Sequence, residues 1–270
     1  IKMKAGLSEI IGFCSRCGYP VIAKPDIGVG AGGTHKIHNE EELKAFFDAY
    51  QGGDYVIEEF ITGDICSYDA IIDSEGNPLF ESMTVWPPSI MDIVNKKLDL
   101  SYYVAKEMPE ALRAIGRKTV KAFRVTNRFV HLEYFRLDRP RKNLGEAGDF
   151  VALEVNMRPA GGYTPDMINY AHSTDVYKIW ADMVAFGRSD LAAAPGERDE
   201  YYCVFASRRD IYRYVHSHGE ILEKYGETMV MCERMPDIMS GAMGNQMYTV
   251  RLKTEEEKDE FIRFVHEKIQ

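Results

Sequence analysis

Three polar residues of different type recur at every second position in Ala152-Leu-Glu154-Val-Asn156-Met-Arg158-Pro159. In an extended chain alternate side chains share a face. Glu154, Asn156 and Arg158 therefore point one way, while Leu153, Val155 and Met157 pack into the core. A carboxylate and an amide oxygen are hard ligands of the kind Mg²⁺ takes, and an arginine fork suits phosphate oxygens. A solvated polar face is the plain alternative, but such a face does not call for this combination. Glu133 lies in the apolar run Phe129-Val-His-Leu-Glu133-Tyr-Phe-Arg136, where an unpaired charge is costly. If the two runs are neighbouring strands, Glu133 and Glu154 can hold one metal ion jointly. A buried salt bridge of Glu133 with Arg136 or Arg158 is the other reading. His131 reads as a packed core residue, because magnesium favours oxygen.

A second group lies near the start of the chain. Lys24 closes an apolar strand and precedes Gly28-Val-Gly30-Ala-Gly32-Gly33, a turn that can bring backbone N–H groups close to phosphates. A P-loop places its lysine at the end of the glycine run, and a protein kinase places it on a later strand. The order here excludes both; an ordinary flexible turn stays open. The run Val56-Ile-Glu58-Glu59-Phe60-Ile61-Thr-Gly-Asp64 could be a hinge whose backbone reads an adenine edge and whose acids meet a ribose. Alternatively, it is a strand ending in a solvated acidic turn.

The elements that must carry these residues follow from periodicity and punctuation. A helix is expected over 7–17 with Gly18 as its stop, then a strand at 21–24, the glycine turn, and a return strand at 34–37. Asn39 is a good N-cap for a helix over 40–50. Strands follow at 55–59, 65–73 and 79–85. Residues 86–106, with Trp86-Pro-Pro, read as loop with room for a short helix. A helix over 109–123, strands at 128–137 and 150–157, and a helix over 174–186 come next. Pro195-Gly-Glu-Arg-Asp199 marks a boundary. The tail alternates strand and helix to a last helix over 255–269. The fold class is α+β with mainly antiparallel sheets.

Composition narrows the function. The chain has 270 residues and a formal net charge of -9, which argues against a nucleic-acid binder while leaving room for a local anion pocket. No stretch reaches the ~20 apolar residues of a membrane span. The five scattered cysteines suggest free thiols in a reducing, cytoplasmic setting. Cys14-x-x-Cys17 lies near a helix end with no second ligand pair, so a structural role is expected. His216 and His218 alternate, with no acid beside them in sequence. The chain begins at Ile1 and runs through one helix into a buried strand, which is expected of a fragment.

Taken in order, Tyr19-Pro-Val-Ile-Ala-Lys24-Pro25, the glycine loop, Glu58-Glu59-Phe60-Ile61, Glu133 and Glu154-x-Asn156-x-Arg158 resemble the ATP-grasp superfamily, nearest to the carbamoyl-phosphate synthetase-like carboxylate–amine ligases. The resemblance implies two α+β lobes gripping ATP: 1–60 as the smaller lobe, 61–195 as the larger, and 196–270 as a C-terminal subdomain packing on it. It implies that Lys24 contacts phosphate under a lid containing Gly28, Gly30, Gly32 and Gly33. It places Glu58 and the segment Glu59-Phe60-Ile61 on the adenine, and Asp64 near the ribose. It makes Glu133, Glu154 and Asn156 ligands of Mg²⁺, with Arg158 stabilising the phosphate in transfer. The implied cofactors are ATP and Mg²⁺, and the implied partners a small-molecule carboxylate and an amine, with a homodimer left open. Such enzymes carry a preceding α/β domain that this sequence does not contain. An ATP-binding sensor of the same fold with little turnover is the alternative, as is a structural subunit.

Overall fold

A computed structural model describes residues 1–27, 33–50, 54–86, 93, 96–191 and 199–269. The chain divides into two units, Ile1–Thr62 and Gly63–Gln270.

In the first unit, α1 (Leu7–Cys17) forms because Ile10 and Cys14 recur one turn apart and bury together, and it ends at Gly18 with φ 84°. Strand β1 (Val21–Pro25) pairs antiparallel with β2 (His35–Ile37). Helix α2 (Glu40–Ala49) opens on Asn39, whose side chain accepts from the Glu42 N–H. Strand β3 (Tyr55–Glu59) completes a three-stranded sheet in the order β2-β1-β3. Ile10, Val21, Ala23, Leu43, Phe46 and Ile57 form its core.

The second unit is built on one antiparallel sheet of eight strands. In chain order these elements are β4 (Gly63–Ile72), β5 (Pro78–Trp86), β6 (Ser101–Val104), α3 (Glu110–Ala122), β7 (Arg128–Leu137), β8 (Phe150–Asn156), α4 (Thr164–His172) and α5 (Val176–Phe186). There follow β9 (Tyr202–Arg208), α6 (His218–Tyr225), β10 (Met229–Arg234), α7 (Asp237–Met243), β11 (Gln246–Leu252) and α8 (Glu255–His266). The sheet order is β10-β11-β9-β6-β5-β4-β7-β8. The mixed α+β class with antiparallel sheets is as expected.

Period-two alternation gives the sheet two apolar faces. Tyr68, Ala70, Val130, Leu132 and Tyr134 pack under α3 through Leu112 and Val120. Ile71, Phe129, Tyr102 and Phe205 pack on the other face against Met167, Ile168, Ile179 and Met183 of α4 and α5. Each such large side chain taken from water contributes roughly 1.5–3 kcal/mol. A third cluster holds α6 and α8 on β9 and β11 through Ile221, Phe261, Val265, Val204 and Val250. Two buried guanidinium groups occupy carbonyl groups at helix ends. Arg208 donates to Phe264 and Val265 near the end of α8, and Arg209 to Ser240 and Gly241 in α7.

Two elements correct the sequence expectation. Ser101–Val104, placed in a loop, is the strand that joins β5 to β9 inside the sheet. At four residues it is too short for its alternation to stand out. Thr164–His172, unassigned by sequence, is a helix with proline in its first turn. It is separated from α5 by Ser173 in the left-handed region. The segment expected as a subdomain at 196–270 supplies β9, β10 and β11, which continue the sheet through the β6–β9 pairing.

Candidate functional site

The edge of the large sheet carries the candidate metal residues. Strands β7 and β8 are neighbours, and Glu133 stands directly opposite Glu154, with His131 opposite Asn156. A β-bulge between Glu154 and Ala152 leaves Leu153 outside the paired register. Val155 and Met157 pack against the core beneath α3, as the alternation requires. Like charges directly opposite on adjacent strands repel, and a shared cation removes that cost.

Arg158 departs from the expected strand face. β8 ends at Asn156, and Arg158 lies exposed beyond it with its Nη1 donating to the Pro159 carbonyl at 2.9 Å. The structure brings together Glu133, Glu154 and Asn156, and places Arg158 two residues past the strand end.

Glu133 is paired with neither Arg136 nor Arg158 but with His131, whose Nε2 is 2.9 Å from Glu133 Oε1. His131 is buried, as expected, but it is not merely packed. Its Nδ1 is 2.7 Å from Asp69 Oδ1 on β4. Ser67 Oγ donates to Asp69 Oδ2 at 2.6 Å, and Thr84 Oγ1 donates to the same atom at 3.1 Å. Burial lowers the tendency of His131 to hold a proton, but the Asp69 and Glu133 carboxylates outweigh it and raise its pKa to about 10. The stripe Ser82/Thr84, Ser67/Asp69, His131/Glu133, Glu154/Asn156 thus crosses four strands on one face, following their register. Sequence reasoning passed over Asp69. The available signal was a lone carboxylate in the apolar strand Ile65-Cys-Ser-Tyr-Asp69-Ala-Ile-Ile.

The donor set fits a hard divalent cation. The Asn156 Nδ2 is buried with no hydrogen-bond partner. A half-turn of the amide exchanges that nitrogen for the oxygen, which beside two carboxylates suits a hard cation. Among the described residues no group of three or more His, Cys, Asp or Glu side chains is assembled for a metal, so the set rests on two carboxylates and an amide.

In the first unit, Lys24 stands on β1 opposite Val56, and its Nζ is 2.8 Å from Glu58 Oε2 on β3. The expected phosphate and adenine contacts are therefore adjacent within one small sheet. Lys36 Nζ lies 3.8 Å from the centre of the Phe60 ring. Glu59 is half-buried at the end of β3, and Ile61 is half-buried just beyond it. Gly28, Gly30 and Gly32 lie outside the described residues. Gly33 has φ 75°, a conformation side chains resist. Asp64 is exposed at the start of β4, opposite Arg136. Gly63, just before it, approaches the Arg136 carbonyl so closely that a Cβ would overlap it.

The remaining candidates have local roles. Burial raises the pKa of both the Cys14 and Cys17 thiols, and both are free. His216, for which sequence offered no acid, stacks on Phe264 and lies 3.1 Å from Glu267. His218 bonds the Tyr248 hydroxyl. His172 bridges Ser82 and Glu200 in the order of a nucleophilic triad, but Ser82 is only 1% exposed and closed to a substrate. Among the described residues no helix is long and apolar enough to cross a membrane.

With this geometry in place, the family follows: the ATP-grasp domain model matches residues 17–166, more than half the chain, and the protein belongs to that family. Comparison with curated proteins finds no significant match. Solved structures share the fold at low identity. Phosphoribosylglycinamide synthetase from Anaerococcus prevotii superposes with a TM-score of 0.62 at 14% identity, over 96% of this chain and 65% of that one. The biotin carboxylase domain of 2-oxoglutarate carboxylase from Hydrogenobacter thermophilus, described in complex with MgADP, ADP and bicarbonate, gives 0.64 at 16%, over 96% and 59%. L-amino acid ligase from Bacillus licheniformis gives 0.62 at 15%, over 91% and 61%. The chain spans 59–65% of the length of these three structures.

Proposed function

We propose that this chain binds Mg·ATP and supports transfer of the γ-phosphoryl group to a small-molecule carboxylate, giving an acyl phosphate that an amine then attacks. The observation that carries the reading is the opposition of Glu133 and Glu154 beside the unpartnered Asn156 amide, in a chain of the ATP-grasp family. When bound, the cation would neutralise phosphate charge and align the β- and γ-phosphates.

The chain's own residues supply the rest. Glu133, Glu154 and Asn156 would hold the cation with hard oxygen atoms. Lys24 would exchange its Glu58 partner for phosphate oxygens, and Glu58, so released, would accept from the adenine edge, with the backbone at Glu59–Ile61 reading that edge alongside it. The glycines at 28–33 would close over the phosphates, and Asp64 would accept from the ribose. Arg158, exposed and long, can swing from the Pro159 carbonyl to stabilise the phosphate in transfer. Protein groups in such a reaction mainly position and neutralise. On this reading residues 1–60 are the nucleotide-clamping lobe, and 61–270 carry the metal residues and the acceptor side. The names of the structural neighbours, which include a synthetase and an amino acid ligase, support a C–N bond-forming reaction.

The test is Glu154→Gln in the 270-residue chain, assayed for Mg²⁺-dependent ADP formation against pooled carboxylates and amines. We expect a loss of roughly 10²-fold or more, the order of a major electrostatic contribution to a transition state, with the circular dichroism spectrum unchanged. Near-normal turnover would remove Glu154 from the site.

A further inference from the structure

We propose that the buried Asp69–His131 pair is a positioning device that fixes the Glu133 carboxylate for the divalent cation. The proposal rests on the reading of Glu133 as a cation ligand.

The geometry is directional. Asp69 is fully buried and His131 is nearly so, while the Glu133 side chain is 24% exposed. The chain of contacts thus runs from the interior to the sheet edge. Both ring nitrogens of His131 face carboxylate oxygens, at 2.7 Å and 2.9 Å, and carboxylates only accept. The ring therefore bridges the two carboxylate side chains. Asp69 is locked in turn, because its second oxygen accepts from Ser67 and Thr84. The Trp86 indole donates to Ser67 Oγ at 3.2 Å and meets the His131 ring edge-on at 5.8 Å. The ring therefore has one orientation, and it holds one oxygen of Glu133, leaving the other for a ligand.

Stability does not require this arrangement. Buried ion pairs are often no more stable than apolar groups of the same size. The network is better explained by what it holds at its exposed end. Partners behind a metal ligand orient it, and their removal typically costs 10–100-fold in metal affinity. A histidine whose role was only packing would not need two carboxylates, one of them opposite Glu154.

The experiment compares wild type with His131→Phe, which keeps a planar ring, slightly larger, and removes both hydrogen bonds, His131→Gln, which can still donate to one carboxylate, and Asp69→Asn, which keeps the side-chain shape. Calorimetry on the 270-residue chain measures ADP binding with and without Mg²⁺. The expected result for His131→Phe is a ten- to hundredfold rise in the Mg²⁺ concentration that half-saturates ADP binding, with Mg²⁺-free ADP affinity unchanged. Asp69→Asn should shift it the same way by less, and His131→Gln should recover part of the loss. A folded His131→Phe with wild-type Mg²⁺ dependence would overturn the proposal, as would equal loss of ADP affinity with and without Mg²⁺. If His131→Phe does not fold, Asp69→Asn with an unchanged Mg²⁺ requirement overturns it alone. Wild-type protein whose ADP binding ignores Mg²⁺ would instead overturn the cation reading of Glu133, and this proposal with it.

Discussion

Replacing Glu81 by glutamine should destabilise the larger unit by about 3 kcal/mol. The Glu81 side chain on β5 is 9% exposed and ties α3 to the sheet. Its Oε2 accepts from Arg113 Nη1 at 2.5 Å and Arg117 Nη2 at 2.6 Å, and its Oε1 from Arg117 Nε at 2.9 Å and the Tyr68 hydroxyl at 2.7 Å. Glutamine fills the same volume but presents one acceptor oxygen and an amino group to these donors. Breaking a buried pair by removing one partner costs about 3–5 kcal/mol. The Arg113 and Arg117 side chains are 23% and 47% exposed, so water recovers part of their hydration and the lower figure applies. The chain's two tryptophans, Trp86 and Trp180, both lie in this unit. Urea unfolding followed by their fluorescence therefore isolates its transition, and the midpoint should fall with little change in slope. A loss below about 1 kcal/mol would mean that the cluster behaves like exposed ion pairs and would refute the reasoning.

The same variant carries a pH signature. Burial pushes the Glu81 carboxyl up, but the hydrogen bonds of Arg117 and Tyr68 and the charges of Arg113 and Arg117 outweigh it. They leave the carboxyl below its ordinary value of 4.5. A carboxyl depressed in the folded state contributes stability that is fully present above 4.5 and lost as pH falls through the lower folded value. The difference between wild type and Glu81→Gln should be flat from neutral pH down to about 4.5, and narrow below it.

Further outcomes concern packing, capping and the nucleotide. Gly116→Ala sets a Cβ into the buried Tyr68 ring and should cost about 1–3 kcal/mol in the same urea assay. Thr254→Ala removes the capping box of α8, in which Thr254 accepts from the Glu257 N–H, and should cost about 1 kcal/mol. Lys24→Met should weaken ATP binding about 10–100-fold, the worth of one or two charge-assisted hydrogen bonds, with no such loss for AMP in calorimetry. Equal losses for ATP and AMP would mean that Lys24 does not act on the outer phosphates.

What could be read from the sequence divides along physical lines. Local rules located α1 by its Ile10–Cys14 spacing, α2 by Asn39, and the strands that carry Lys24, Glu58, Glu133 and Glu154 by their apolar runs. They failed where tertiary partners decide. Ser101–Val104 is a strand because β5 and β9 flank it, and nothing in four residues announces that. Arg158 satisfies the period-two count, but the strand ends at Asn156, and a count cannot report where pairing stops. The histidine shows the same limit most clearly. On its own strand, His131 is one polar residue among apolar neighbours, and packing is the reasonable inference. Its role depends on Asp69, 62 positions earlier in the chain. The register Asp69↔His131↔Asn156 and Ser67↔Glu133↔Glu154 converts isolated polar residues into a continuous stripe. Each strand announces its share, since Ser67/Asp69, Ser82/Thr84, His131/Glu133 and Glu154/Asn156 are all polar pairs two residues apart. A pair two residues apart on one strand is weak, because any solvated face produces it. Four such pairs set side by side by the register are a different matter, since the buried members, Ser67, Asp69, Ser82, Thr84 and His131, are costly unless they meet partners.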